Sequence, residues 1–274
     1  MPAADVYGIR SIIEAIAAHL PDDVTLVLYG DVRDSASTEK LIRDLSWLRP
    51  RGRLRYLALT NAREHFSTRD AMPVPAWDAE GRLVVTDARH WPGFEPDQPI
   101  ATLLGARLVS HAWRFEGGNF LANHLGACLI VDSRDTRQLT DALFSDDYGC
   151  RSVTRLAKQG GVGHIDERAR FVAAGTVLTD TDTYADAFTA QGFTVVRLPK
   201  AGGRYESYVN ALVVNGTAFV PQFGRAEDEA ALQVYETAGL EAVPVAARTL
   251  ADKVHSAIHY LTMNYPPIGI RSRP

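Results

Sequence analysis

The chain has 274 residues, of which 46% are hydrophobic and 23% charged, as is ordinary for a globular protein. The net charge of −4 at pH 7 gives no bias toward nucleic acid or an anionic membrane, and neither is expected as a partner. No apolar stretch approaches the ~18 residues needed to cross a bilayer, and the N-terminus lacks the layout of a signal peptide, so a cytoplasmic location is expected.

Helical and strand patterns alternate along the chain. An opening helix is indicated by isoleucines at helical spacing between Ile9 and Leu20, and a second helix runs through Leu41 to Leu48 and ends near Pro50. Later helices are predicted at Thr136–Phe144, Tyr184–Gln191 and Glu227–Thr237. Strands are predicted at Val24–Tyr29, Leu54–Leu59, Phe171–Leu178, Thr194–Leu198, Tyr208–Val214, Ala218–Pro221 and Glu241–Val245.

This alternation favours an α/β fold over an all-β fold. The length allows one large domain, and we predict a single domain over residues 1–274. Asn215-Gly216 is typical of a tight turn between two strands. The proline-rich stretch Trp91–Pro99 is predicted to be an exposed loop.

Five short motifs together resemble the agmatine deiminase and bacterial peptidyl-arginine deiminase family. The motifs are Arg69-Asp70 with Pro73, Glu116-Gly117-Gly118-Asn119, Gly163-His164-Ile165-Asp166, Ser207-Tyr208-Val209-Asn210 and Ile258-His259-Tyr260. The resemblance implies an α/β propeller, or pentein, of about five ββαβ modules around a central active site. It runs from about Val24 to Pro266, and the first module is expected to be trimmed.

The resemblance assigns guanidinium binding to two aspartates, Asp70 and Asp166. Carboxylates suit this role because a guanidinium is planar and cationic, with hydrogen-bond donors in a fixed fork. An Arg-Asp dipeptide by itself is more often a surface ion pair, but Met72-Pro73 follows here as in the family. No aromatic residue stands two positions before the arginine; Ser67 does, so the wall of the substrate site is expected to differ.

Glu116 and His164 are the acid–base candidates. Histidine transfers protons near neutral pH, and the resemblance gives His164 the protonation of the leaving ammonia, with Glu116 supporting it. His164 and Asp166 would face the same side if they lay on a strand. A bulged strand end around Glu116 and a structural His–Asp pair are the alternative interpretations.

Two asparagines, Asn119 and Asn210, are predicted to bind substrate. Asn210 could face the substrate backbone or cap a loop. Its alternative interpretation is a buried asparagine whose side chain is satisfied by main-chain groups.

Tyr260 occupies the position where the resemblance expects a nucleophilic cysteine. A phenol, with an ordinary pKa of about 10, is a bulkier and weaker nucleophile than a thiolate. Tyr260 could fill the space, hydrogen-bond a ligand or act as an acid. Cys128 and Cys150 do not suggest a disulfide framework, and Cys128 is expected to be a buried small residue.

No cofactor and no metal ion are predicted. His255 and His259 have the spacing of a helical metal pair, but no carboxylate at a suitable spacing completes a site. The resemblance places His255 and Ser256 where relatives have glycines.

Three functions follow from the motifs. The first is a guanidino-binding protein that lacks the usual deimination chemistry, with a small-molecule or peptidyl guanidino ligand. The second is an enzyme that uses His164 with Asp70, Asp166 and Glu116 for cysteine-independent chemistry on an arginine-derived substrate. The third is a scaffold or partner of an active paralogue; a homo-oligomer also stays open.

Overall fold

The computed structural model describes residues 7–47, 52–62, 65–87 and 93–270. The chain divides into two compact units. The first unit comprises Met1–Phe66 and Pro199–His259, and the second comprises Ser67–Leu198 and Tyr260–Pro274. The single domain over residues 1–274 stays a prediction.

Helices and strands alternate along the described residues. The helices are α1 (Ile9–His19), α2 (Ser35–Leu45), α3 (Thr68–Ala71), α4 (Asp97–Leu104), α5 (Asp141–Tyr148), α6 (Asp182–Ala190), α7 (Asp228–Thr237) and α8 (Arg248–Val254). The strands are β1 (Leu26–Asp31), β2 (Leu54–Leu59), β3 (Val74–Trp77), β4 (Leu83–Thr86), β5 (Arg107–Val109), β6 (Leu121–Ala122), β7 (Ala127–Asp132), β8 (Ser152–Ala157), β9 (Ala169–Ala173), β10 (Thr176–Thr179), β11 (Thr194–Arg197), β12 (Leu212–Val214), β13 (Thr217–Gln222) and β14 (Glu241–Ala246). Short 3₁₀ turns cover Val32–Asp34, Gly117–Asn119, Ile165–Glu167 and Ile258–Leu261.

The strands form small separate sheets with one repeated connection. In each three-stranded sheet, the middle strand runs antiparallel to the strand before it and parallel to the strand after it. A helix precedes each parallel strand, so the repeated unit is ββαβ. The sheets of the second unit are β3-β4-β5, β6-β7-β8 and β9-β10-β11; the first unit holds β12-β13-β14 and the two-stranded β1-β2.

Apolar side chains on the sheets and helices of the second unit form two buried clusters. One contains Leu129 and Val131 from β7 together with Phe188 from α6. The other contains Phe115, Phe120, Phe144 and Tyr148, whose rings contact one another. Burial of this apolar surface stabilises the unit, and it anchors both ends of the 116–119 segment because Phe115 and Phe120 flank that segment.

Several sequence-based boundaries are confirmed. Helix α1 and strand β2 lie where the patterns predicted them, and the Asn215-Gly216 turn joins β12 to β13. Both turn residues have positive φ, 42° and 85°, which suits a tight hairpin turn. The predicted end of the second helix near Pro50 lies outside the described residues.

Other predicted boundaries of strands and helices are wrong. Phe171–Leu178 is a hairpin, β9 and β10, rather than one strand. The strand predicted over Tyr208–Val214 begins only at Leu212. The helix predicted at Thr136–Phe144 begins at Asp141, because the Thr140 side chain accepts a hydrogen bond from Leu143 N at 3.2 Å and caps the helix there.

The stretch Trp91–Pro99 is only partly a loop. Trp91 and Pro92 lie outside the described residues. Phe94 is buried, and α4 begins at Asp97. In the described residues, no helix has the length and apolar character required to traverse a lipid bilayer.

Cys128 and Cys150 form a disulfide, which the sequence did not indicate. Both residues are buried in the aromatic cluster that contains Phe115 and Phe120. Cys128 is therefore buried as expected, but it is cross-linked. Disulfides are typical of oxidising compartments. The cytoplasmic location expected from the sequence stays a prediction.

Candidate functional site

Most of the residues predicted to carry chemistry belong to the second unit and converge next to Gly118. Asp70 lies on the short helix α3 and is buried. Its Oδ1 accepts a hydrogen bond from Gly118 N at 2.9 Å. His164 directly precedes the 3₁₀ turn Ile165–Glu167, which carries Asp166. His164 and Asp166 therefore do not lie on one strand, and the turn brings both side chains next to Gly118.

Gly117 and Gly118 allow the three segments to meet. A Cβ on Gly117 would lie 2.2 Å from the Arg69 carbonyl oxygen. A Cβ on Gly118 would lie 2.8 Å from Asp70 Oδ1, 2.8 Å from His164 Nδ1 and 3.2 Å from Asp166 Oδ2. The glycines thus serve close packing of backbone and site side chains.

Replacement of Gly118 by Ala is expected to displace Asp70 and His164 and to weaken binding of any ligand at the site. The physical reason is that the added methyl group must lie closer to two polar atoms than van der Waals contact permits. Gly175→Ala is the matched control, because a Cβ there meets no atom within 4 Å. Calorimetric titration and thermal unfolding of both variants would check this, and equal behaviour of the two would contradict it.

His164 lies between two carboxylates. Its Nε2 contacts Glu116 Oε2 closely, and its Nδ1 lies 3.8 Å from Asp70 Oδ1. Burial lowers the pKa of His164, but the hydrogen bond with Glu116 and the charges of Asp70 and Asp166 outweigh it and raise the pKa to about 9. His164 is therefore an imidazolium at neutral pH, a form that donates protons.

The Asp166 carboxyl group of the site has a strongly raised pKa. Burial raises its pKa, the charge of His164 lowers it and the charge of Asp70 raises it again, so that the pKa of Asp166 is about 7. Close to neutral pH this group exists in both forms. A bound cation would favour the carboxylate.

Tyr260 lies beside the same charges. Its hydroxyl is hydrogen-bonded with Ser67, which is buried immediately before α3. Burial raises the pKa of Tyr260, and the charges of Asp70, Glu116 and Asp166 raise it further, to about 12 despite the hydrogen bond with Ser67. The phenol is therefore neutral at physiological pH. Sequence reasoning did not identify Ser67 as this hydrogen-bond partner, because nothing in the sequence brings residues 67 and 260 together.

Asn119 connects the 116–119 segment to the backbone of Val131 and Ile165. Its Oδ1 accepts hydrogen bonds from Val131 N at 3.0 Å and Ile165 N at 3.3 Å, and its Nδ2 donates to Val131 O at 2.8 Å. These contacts fix the backbone on either side of the site, including the turn after His164. The substrate-binding role of Asn119 stays a prediction.

Asn210 belongs to the first unit. It is buried, and its Oδ1 accepts a hydrogen bond from Ala257 N at 3.2 Å, while its carbonyl accepts one from His259 N at 3.1 Å. These bonds match the interpretation of a buried asparagine satisfied by main-chain groups. Substrate binding by Asn210 stays a prediction.

His255 and His259 do not lie on one helix. Helix α8 ends at Val254, and His259 is in the 3₁₀ turn that begins at Ile258. His255 has a left-handed backbone with φ of 63°, a conformation that favours glycine. Its ring stacks on Tyr205, with ring centroids 4.0 Å apart, and this contact helps to hold an unfavourable backbone conformation.

Comparison with solved structures identifies the fold. The chain is similar to agmatine deiminase from C. jejuni (TM-score 0.74, 15% identity, 93% of this chain and 85% of that chain). It is also similar to agmatine deiminase of Enterococcus faecalis (TM-score 0.69, 18% identity, 95% and 86%) and to DDAH from Pseudomonas aeruginosa (TM-score 0.53, 15% identity, 87% and 97%). No curated protein sequence matches the chain. The fold is therefore the mixed α/β pentein fold, as predicted.

A family model gives the more specific assignment. The model of the Porphyromonas-type peptidyl-arginine deiminases matches residues 9–266. This match covers almost the whole chain, and the chain belongs to that family.

Proposed function

We propose that the protein binds a guanidino group at Asp70, Asp166 and Glu116 and does not carry out thiol-dependent deimination. The observation that carries this proposal is the convergence of carboxylates and His164 next to Gly118. A guanidinium offers five N–H donors in a plane, which several carboxylate oxygens can accept together. The ligand is a small molecule or peptide with one free guanidino group.

Two observations support the absence of the usual chemistry. Tyr260, with its pKa of about 12, stays a neutral phenol and is a weak nucleophile. Both cysteines of the chain are joined in the disulfide. Thiol attack on a guanidinium carbon therefore has no candidate side chain.

Isothermal titration calorimetry and mass spectrometry together test this proposal. Agmatine, arginine and an arginyl peptide are each titrated, and the same mixtures are then analysed for a ureido product. We expect binding of at least one of these ligands at one site without conversion. Putrescine, which has ammonium groups and no planar fork, is the matched control and should bind more weakly. No binding of any guanidino ligand would contradict the proposal.

A second candidate is acid catalysis by His164, favoured by its protonated state and its contact with Glu116. When water adds to the guanidinium carbon and the C–N bond breaks, an imidazolium here could protonate the departing amine, which leaves a ureido product. The same mass-spectrometric assay tests it: a product that disappears with His164→Asn would support this function and overturn the non-catalytic one. A product that persists unchanged would exclude His164.

Guanidino binding is expected to tighten as the pH rises from about 6 to 8. The pKa of Asp166 is about 7 without ligand, and a bound cation lowers it, so binding below pH 7 releases a proton. Affinity therefore increases with pH and levels off above the pKa of Asp166 in the ligand-free protein. Loss of the His164 proton near pH 9 would strengthen binding again. Titrations in a chelator-containing buffer across this range, with Asp166→Asn as the pH-insensitive control, check this. A flat profile for both proteins would contradict it.

A further inference from the structure

We propose that Glu167 is a positioning residue for the site: its carboxylate holds the 161–163 segment and thereby places His164 between Glu116 and Asp70. This role deepens the proposed function and rests on it, since Glu167 acts through His164 and not on the ligand itself. Glu167 is buried, with 6% of its surface exposed, at the end of the 3₁₀ turn that follows His164. A buried carboxylate needs hydrogen-bond donors around it, and the 161–163 segment supplies them.

Two backbone N–H groups of the segment bind this carboxylate. Gly163 N donates to Glu167 Oε2 at 3.1 Å, and Val162 N also donates to the carboxylate. Successive backbone N–H groups of this kind form a concave site that favours an anion. Burial raises the pKa of Glu167, while the hydrogen bond from Gly163 and the charge of His164 oppose the rise. Because Gly163 directly precedes His164, the carboxylate fixes the backbone one residue from the imidazole.

The glycines of the segment make this anchor necessary. Gly161 and Gly163 have left-handed backbones, with φ of 58° and 95°, and glycine adopts many other conformations as readily. A Cβ on Gly161 would lie 2.8 Å from Glu167 Oε2, so the backbone lies directly against the carboxylate. The carboxylate thus restricts a segment whose glycines would otherwise allow many conformations.

The backbone of His164 is held on both sides. Before it, the Glu167 carboxylate binds Gly163 N; after it, the next backbone N–H donates to Asn119 Oδ1 at 3.3 Å. Glu167 N also donates to His164 O at 3.4 Å. Loss of the carboxylate would leave a buried N–H without its acceptor, which is costly. The segment would then rearrange, and the imidazole would shift relative to Glu116.

The charge of Glu167 is the competing explanation for an effect on the site, because this charge also raises the pKa of Asp166. Two substitutions separate position from charge. Glu167→Gln removes the charge and keeps an oxygen that can accept from Gly163 N, whereas Glu167→Ala removes both. If Glu167 acts by position, Glu167→Ala weakens agmatine binding by roughly 10-fold, and Glu167→Gln retains most of the affinity.

Two neighbouring glycines give the sharpest comparison, because the charge of Glu167 remains in both variants. Gly161→Ala places a methyl group 2.8 Å from Glu167 Oε2, whereas the methyl group of Gly160→Ala meets no atom within 4 Å. The two glycines have φ of 58° and 60°, so the backbone strain of the two substitutions is matched. We expect Gly161→Ala alone to weaken agmatine binding and to lower the pKa of His164 from about 9 toward the ordinary 6.5.

Calorimetric titration with agmatine, thermal unfolding and NMR titration of the His164 ring in ligand-free protein measure these effects, with the ring signals assigned by His164→Asn. A lower unfolding temperature with an unchanged pKa of His164 in Gly161→Ala would mean that Glu167 only stabilises the fold, and would overturn the proposal. Equal results for the two glycine variants, or a Glu167→Gln protein as impaired as Glu167→Ala, would overturn it too. If agmatine does not bind the unaltered protein but the pKa of His164 still falls in Gly161→Ala, the positioning role stands and the proposed function alone fails.

Discussion

Asp70→Asn is expected to weaken agmatine binding by about 2–5 kcal/mol, which is about 30-fold to several thousand-fold in Kd. Asp70 is buried beside His164, so its carboxylate is poorly screened by water and its charge acts strongly on a bound cation. Asparagine preserves the size of the side chain and an oxygen for the Gly118 N–H. The substitution therefore removes mainly the charge.

Calorimetric titration of agmatine at pH 8 with a chelator present measures the effect. Asp135→Asn is the matched control, because Asp135 is an exposed aspartate of the same unit and the same substitution removes the same charge. We expect the control to bind as the unaltered protein does. A loss below threefold in Asp70→Asn would show that Asp70 does not contact the guanidinium.

The family resemblance grouped Asp70, Glu116, His164 and Asp166 into one predicted site. In the structure, Asp70, His164 and Asp166 lie close to Gly118, and Glu116 contacts His164. The alternation of helices and strands predicted an α/β fold, whereas the ββαβ modules were implied by the family resemblance. The α/β class depends on periodicity, which a single sequence expresses directly.

Two features that the sequence did not predict depend on contacts between residues far apart in the chain. The hydrogen bond between Ser67 and Tyr260 and the Cys128–Cys150 disulfide both require the folded chain. The hairpin within residues 171–178 was missed because its two short strands together read as one apolar run. The turn at Ile165–Glu167 was not predicted, because a three-residue turn is too short to show a hydrophobic periodicity.

Removal of the disulfide by the double substitution Cys128→Ala and Cys150→Ala is expected to lower the free energy of unfolding by about 3 kcal/mol. The cross-link joins residues 22 positions apart, and restriction of the unfolded chain by a loop of this length corresponds to about 3 kcal/mol. Urea unfolding, followed by far-UV circular dichroism, measures the change. Reduced protein of unaltered sequence is the matched control, because it keeps both sulfur atoms in the core and loses only the cross-link.

The disulfide also bears on the site, because the cluster around it contains Phe115 and Phe120, the residues on either side of the 116–119 segment. A looser cluster would let Glu116 and Gly118 move relative to His164. We therefore expect reduction to weaken agmatine binding as well as stability, since the carboxylates would no longer be held in position before the ligand binds. If reduced and oxidised protein unfold at the same urea concentration and bind agmatine equally, the cross-link contributes to neither. A shift in unfolding alone would confine its role to the core.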